Sequence, residues 1–193
     1  MLKHLKKYWL EYVFFILLLN AVLCAIGFVH EEIPIEYHKI EKADNKWGEE
    51  PLDSYLDRVF RMDEYVIMIA GTELNDQLIS DEVFSKLISM GIPVMENRTI
   101  ERRNGLIALL SNGKLVDAKV SEGNPISYSG YLNRNYVLLE ENQNNYNEPI
   151  YINDVSYSLG RSGLNIVIFD EKEECIIDSV NYNYNNGRIN IER

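Results

Sequence analysis

Histidine is the side chain whose ordinary pKa lies nearest neutrality and is a common metal ligand. His4, His30 and His38 all precede residue 52. The rest of the chain therefore has no histidine for a nucleophile–imidazole pair, a general base or a histidine-bound zinc. Cys24 and Cys175 are the two cysteines. Cys24 lies inside an apolar run and Cys175 far downstream, so no disulfide framework is expected. Cys175 falls in a β-favouring run with no histidine beside it and reads as a small buried hydrophobe, not a nucleophile. Asp170, Glu171, Glu173 and Glu174 gather four carboxylates without the alternating ligands and glycine of a calcium loop, so they read as a solvated turn. Gly160-Arg161-Ser162-Gly163 precedes a strand and not a helix, which removes the usual reason for a glycine-rich loop to cradle phosphate. No two carboxylates stand out as a glycosidase pair. These residues predict a chain without catalysis, cofactor or metal.

Other residue types suit recognition. Tyrosine and asparagine are concentrated over residues 128–147 and 181–186. Flat rings and amide donors in such numbers suit sugar rings, and they equally suit loop solvation. Asn97-Arg98-Thr99 fits the N-glycosylation acceptor pattern. A net charge of −11 repels phosphate backbones, so nucleic acid is not an expected partner.

The elements that must position these groups follow from pattern. Leu52, Tyr55, Leu56, Val59 and Phe60 recur at helical spacing after Pro51, with Asp53 near the positive end of the dipole. Residues 65–70 form a continuous β-favouring run ending at Gly71, as for a strand buried on both faces. Ser80 is placed to cap a second helix, with Val83, Phe84, Leu87 and Ile88 on one face and Gly91 at its end. Residues 105–110 and 114–120 flank Asn112-Gly113, a strong tight-hairpin signal. Residues 136–139 and 150–157 read as strands around an exposed Asn-rich loop at 142–147. Residues 164–170 and 174–182 read as a hairpin turning at 171–173, with Cys175 on its return strand. This order predicts an α+β fold, its β-sheets mostly antiparallel hairpins packed with two short helices.

Ahead of these elements lies a different kind of segment. Residues 13–29 are seventeen positions with one polar side chain, Asn20, and Tyr8 and Trp9 stand just before them. At about 1.5 Å per residue the run and its aromatic flank approach the roughly 30 Å of a bilayer core. It predicts a transmembrane helix over residues 9–29, a basic cytoplasmic tail over 1–8 bearing Lys3, Lys6 and Lys7, an acidic linker over 30–51, and an extracytoplasmic domain over 52–193. A cleaved signal peptide ending near Ala25-Ile26-Gly27 is the alternative; a lipoprotein site at Cys24 fits less well, because Leu23 is bulky.

The segment Leu159-Gly160-Arg161-Ser162-Gly163-Leu164-Asn165-Ile166-Val167-Ile168-Phe169-Asp170, followed by Ile177-Asp178-Ser179-Val180-Asn181-Tyr182, resembles the opening hairpin of the interleukin-like EMT inducer domain. Residues 56–91 resemble that family's next stretch, and Arg103-Asn104-Gly105-Leu106-Ile107-Ala108-Leu109 a later strand. The order is inverted here, which implies either a circular permutation or a hairpin swapped between neighbouring chains in a homo-oligomer. The family includes secreted cytokine-like proteins and a domain similar to the stem of protein O-mannose N-acetylglucosaminyltransferase, which binds sugar and does no chemistry. The resemblance therefore implies a carbohydrate-binding module. It carries ligand contacts onto Glu73, with Thr72 beside it, and Arg103, a pair able to grip hydroxyls by charge-assisted hydrogen bonds. Joined to the apolar segment, it implies a membrane-anchored, cell-surface binding module accessory to surface glycan assembly; a signalling scaffold that recognises a cell-surface protein is the alternative.

Overall fold

The computed structural model of the protein describes residues 40–42, 47–94, 104–142 and 148–193. The apolar segment at 9–29, the Asn97 triplet, Arg103 and most of the Asn-rich loop lie outside the described residues. Among the described residues, no helix is long and apolar enough to cross a membrane.

The central strand is β2 (Val66–Thr72), buried on both faces through Gly71 as its unbroken apolar run predicts. On one side it pairs antiparallel with β3 (Asn104–Ser111), which turns into β4 (Lys114–Glu122). That turn is Asn112-Gly113, with φ of 52° and 68°, the left-handed pair a two-residue hairpin needs. On its other side β2 pairs antiparallel with β9 (Gly163–Asp170), and β9 with β10 (Cys175–Asn185). The C-terminal hairpin thus completes the sheet of its own chain.

Two strands finish this seven-stranded sheet at the free edge of β10. β1 (Glu41–Lys42) pairs parallel with Cys175 and Ile176, and β11 (Arg188–Glu192) pairs antiparallel with residues 181–185. A second Asn-Gly turn, Asn186-Gly187 at φ 52° and 81°, makes that last hairpin. Neither strand is anticipated in the sequence reading. Part of the stretch read as an acidic linker also belongs to the fold: Ile40 is buried, and Trp47 packs edge-on to Tyr55 with ring centroids 6.2 Å apart.

Helices α1 (Leu52–Val59) and α2 (Asp81–Ser89) cover one face of the sheet. Ser80 caps α2 by accepting a hydrogen bond from Val83 N at 3.3 Å, and Gly91 takes φ 77° after its end. Val83 and Leu87 are buried, but Ile88 is 46% exposed, so the apolar face of α2 is narrower than its spacing predicts.

The opposite face packs on a second sheet of four antiparallel strands in sequence order, β5 (Ile126–Leu132), β6 (Asn135–Glu141), β7 (Ile150–Ile152) and β8 (Val155–Ser156). Val137, Leu139, Ile150 and Ile152 from this sheet bury against Val66, Met68, Ile107, Leu109, Val167 and Phe169 of the larger one. The result is three layers, helices on sheet on sheet. The α+β class follows the sequence, while two details correct it. β5 occupies residues 126–132, where the residue pattern predicts no strand, and the predicted strand at 150–157 is a hairpin turning at Asn153-Asp154, with φ of 51° and 60°. Asn153 allows this turn: its Oδ1 accepts from Tyr136 N at 2.9 Å and its Nδ2 donates to Asn135 Oδ1 at 2.8 Å.

Candidate functional site

The sheets bring several chain turns together at one end of the sandwich. Thr72 ends β2 opposite Gly163, the first residue of β9. Leu74 N donates to Asn104 O at 3.1 Å, which holds the turn after β2 against the start of β3. Asn104 faces Glu122 at the end of β4, and Gly105 lies so close to Glu141 at the end of β6 that an added Cβ would come within 2.3 Å of the carboxyl carbon. Glu140 N donates to Pro149 O at 2.9 Å, adding the start of β7.

Two of the three residues assigned by resemblance are described at this end. Glu73 is exposed and holds φ 58°, a left-handed conformation uncommon for glutamate. Thr72 Oγ1 is buried with no hydrogen-bond partner among the described residues. Arg103 lies outside the described residues, although the chain enters β3 one residue after it. The turn carrying Glu73 and the start of β3 are thus neighbours across more than thirty residues of sequence, held by the Leu74–Asn104 hydrogen bond.

Glu141 is a residue that the sequence reading missed. It is 2% exposed, inward-facing on β6 in phase with Asn135, Val137 and Leu139. That two-residue period was a signal able to find it, since a strand keeps one face for i, i+2 and i+4.

The glycine–arginine segment after β8 is a strapped loop. Asn165 Oδ1 accepts from Leu159 N at 3.2 Å and Gly160 N at 3.1 Å, while its Nδ2 donates to Gly160 O at 2.9 Å. Asn181 Nδ2 donates to Ser162 O at 2.9 Å, and Asn183 Nδ2 to Ser162 Oγ at 3.2 Å. Several strand asparagines therefore serve the fold, and Arg161 is left exposed at the loop surface.

The outer face of the small sheet is a second polar and aromatic surface. In β5 and β6, Tyr131 and Tyr136 are direct cross-strand partners with ring centroids 5.4 Å apart. Tyr151 of β7 pairs with Leu138, two residues along β6 on the same face. The Tyr151 hydroxyl is pushed above the ordinary phenol range by burial first, then by the charges of Glu148 and Glu140. Tyr131 is 71% exposed.

At the opposite end of the sandwich the acidic turn has a structural use. Asp170 Oδ1 accepts from Lys172 N at 2.8 Å and Glu173 N at 3.1 Å, and Arg134 at the β5–β6 turn clasps Glu174 with two guanidinium nitrogens. The Arg134 hydrogen bond holds the Glu174 carboxyl below the usual range. A depressed carboxyl pKa stabilises the folded chain above the unfolded value, and that contribution is lost as pH falls through the folded value. Arg134→Ala should therefore move the Glu174 carbon-13 titration midpoint upward, toward an ordinary glutamate near about 4.3. An unchanged midpoint would show that the clasp does not hold in solution.

Cys175 is half-buried, less than its apolar run predicts. Burial, followed by the charges of Asp170 and Glu173, pushes its thiol pKa up and disfavours the nucleophilic thiolate.

These layers define a mixed α+β, two-sheet domain with two helices and a polar end where several turns converge. No protein-family model, no characterised protein and no solved structure matches this chain.

Proposed function

We propose that the chain is a membrane-anchored, extracytoplasmic module that binds carbohydrate without transforming it and serves surface glycan assembly. The observation that carries the reading is the sandwich end: an exposed Glu73 in a left-handed turn, a buried Thr72 hydroxyl with no partner among the described residues, and the start of β3 held beside them. Rigid strands preset such a site, and its exposed carboxylate offers acceptors to sugar hydroxyls. The interleukin-like EMT inducer resemblance supports the same reading and assigns contacts to Glu73, Thr72 and Arg103.

Calorimetric titration of the full-length chain in detergent with a panel of neutral oligosaccharides tests it. Arg103→Ala and Glu73→Gln should each weaken binding by about ten-fold, the loss of one charge-assisted hydrogen bond. Absence of binding to every sugar in the panel would remove the carbohydrate reading. The anchor is tested separately: alkaline carbonate extraction should leave the full-length chain with the membranes, and recovery in the soluble fraction would remove that part.

A cell-surface protein scaffold is the second reading. It is favoured by a cleft of about 440 Å³ between the start of α1, the loop before α2 and β11, lined by Pro51, Leu52, Val83 and the 44% exposed Ile189. Crosslinking in membranes to one dominant protein partner would favour it over the first.

A further inference from the structure

The larger sheet is covered on one face by the helices and on the other by the small sheet, while the small sheet's outer face is formed by strand positions that alternate with its core residues. Register decides what that face carries. Tyr131 lies opposite Tyr136, Ser129 opposite Leu138, and Ser127 opposite Glu140 on β5 and β6; Leu138 lies opposite Tyr151, and Tyr151 opposite Ser156, on β6 to β8. Side chains at alternate positions share a face, so Tyr131, Tyr136, Leu138, Glu140 and Tyr151 stand on one side together. Their neighbours Ser127, Ser129 and Ser156 are small, and of the three rings Tyr131 is exposed while Tyr136 and Tyr151 are half-buried.

The row has a direction and a length. Tyr131 and Tyr136 are 5.4 Å apart by ring centroid, and Tyr151 is one strand across and two residues along from Tyr136. One strand spacing of about 4.8 Å and two rises of about 3.4 Å put that second step at about 8 Å. The whole row then spans roughly 13 Å, the length of about two or three linked pyranose rings. It runs diagonally toward the polar end, where the charges of Glu148 and Glu140 act on the Tyr151 hydroxyl and a hydrogen bond with the Glu148 backbone, then the Arg161 charge, partly offset them.

We propose that this outer face is a stacking platform for an uncharged glycan chain, with Tyr131, Tyr136 and Tyr151 under successive sugar rings and Glu140 and Glu148 accepting hydrogen bonds from ring hydroxyls. The inference rests on the carbohydrate-binding reading and adds to it a surface, a ligand length and a charge class. A tyrosine ring offers an apolar body to the C–H face of a pyranose and a hydroxyl at its edge. A Tyr131 that is 71% exposed spends little of that body on the core. Ionised carboxylates are acceptors only, which matches hydroxyl donors and opposes carboxylate-, sulfate- or phosphate-bearing polymers. The net charge of −11 acts in the same direction.

The test uses the full-length chain in detergent, titrated with mono-, di-, tri- and tetrasaccharides of glucose, mannose, galactose and N-acetylglucosamine, and with trigalacturonate as the anionic probe. Affinity for one neutral series should rise with length to the trisaccharide and then level off, with trigalacturonate at least about ten-fold weaker. Tyr136→Ala and Tyr131→Ala should each weaken trisaccharide binding by about five-fold or more while the thermal midpoint stays close to the parent's. Binding that survives Tyr131→Ser/Tyr136→Ser/Tyr151→Ser but is lost in Glu73→Gln would overturn the platform and leave the carbohydrate reading standing. No binding of the parent chain to any sugar would overturn both. Preference for trigalacturonate, or affinity independent of length, would overturn the ligand class. A tyrosine-dependent change in mass by light scattering, without a change in sugar affinity, would make the face a contact between copies and overturn the proposal.

Discussion

Asp178→Ala is expected to lower the unfolding free energy by about 3–5 kcal/mol, because it strips the acceptor from a buried polar cluster and leaves a cation behind. Asp178 is 3% exposed in mid-sheet. Its Oδ2 accepts from the Tyr55 hydroxyl at 2.8 Å, and Arg193 Nη1 forms an ion pair with the same oxygen. The Arg193 guanidinium also lies 5.3 Å from the Tyr55 ring centre, and Tyr182, which donates to Glu50 O at 2.9 Å, packs tilted against Tyr55. These contacts join β10 and the C-terminal segment to α1 and the residues before it. Trp47 packs against Tyr55 and stacks with Arg58 at 3.8 Å, so its fluorescence reports on the cluster during urea denaturation. Asp178→Asn keeps an acceptor and should cost about half as much. A loss below about 1 kcal/mol for alanine would mean that Arg193 and Tyr55 find other partners.

The same cluster has a pH signature. Burial, then the Asp178 charge and hydrogen bond, push the Tyr55 phenol far above its ordinary range, and burial does the same to Tyr182. A raised folded pKa contributes stability that is fully present below the unfolded value of about 10 and is lost as pH rises toward the folded one. The folded chain should therefore lose stability above about pH 10. Ultraviolet titration should show two of the thirteen tyrosines ionising only on alkaline unfolding.

The second large effect is expected at Gly163, where alanine should cost about 3 kcal/mol through two separate penalties. Gly163 holds φ 82°, a region where a side chain is strained by about 1–2 kcal/mol. Its added Cβ would also fall 2.3 Å from Tyr182 O and 2.9 Å from Asn183 Cα, both backbone atoms of a paired strand that cannot swing aside. The control is Gly187→Ala, at a nearly identical φ of 81° but with nothing within 4 Å, which isolates the conformational penalty. The difference in thermal midpoint between the two variants measures the clash, and roughly 5 °C is expected for a domain of this size. Equal midpoints would show that the start of β9 can move. Because Gly163 faces Thr72, Gly163→Ala should also weaken sugar binding at the sandwich end under the proposed function.

Several elements were legible because their signals are local. The helices at Leu52–Val59 and Asp81–Ser89 follow from apolar spacing and the Ser80 cap, and the Asn112-Gly113 turn from its need for two left-handed residues. The same argument applied to Asn186-Gly187 would have revealed β11. Asn153-Asp154 was harder to read, because neither residue is glycine and the turn depends on side-chain hydrogen bonds to Tyr136 N and Asn135. Residues 126–132 alternate small and polar residues with few β-branched ones, so their strand identity comes from the partner that pairs with them.

The candidate site was less legible, since it depends on which strands become neighbours. Thr72 and Glu73 came from a resemblance, and only the Leu74–Asn104 hydrogen bond places their turn beside β3. The tyrosines at 131, 136 and 151 could be counted in the sequence but not placed on one face, because face and register are properties of a pair of strands.

By itself, then, the sequence determined the tight turn at Asn112-Gly113, which stretches are helical, that residue 66 onward forms a deeply buried strand, and that histidine chemistry has no material after residue 38. Only the tertiary structure decided that β2 takes β9 as its neighbour, some hundred residues away, and that the small sheet leaves its tyrosines outward. It also decided the fate of Asp178: the irregularity between Ile176 and Asp178 shifts the alternation of β10 by one residue and aims this carboxylate at Tyr55 under the helices. The physical reason is that turns and helices satisfy their backbone groups within a few residues, whereas a strand satisfies its own only through a distant partner, and that partner sets which way every side chain faces.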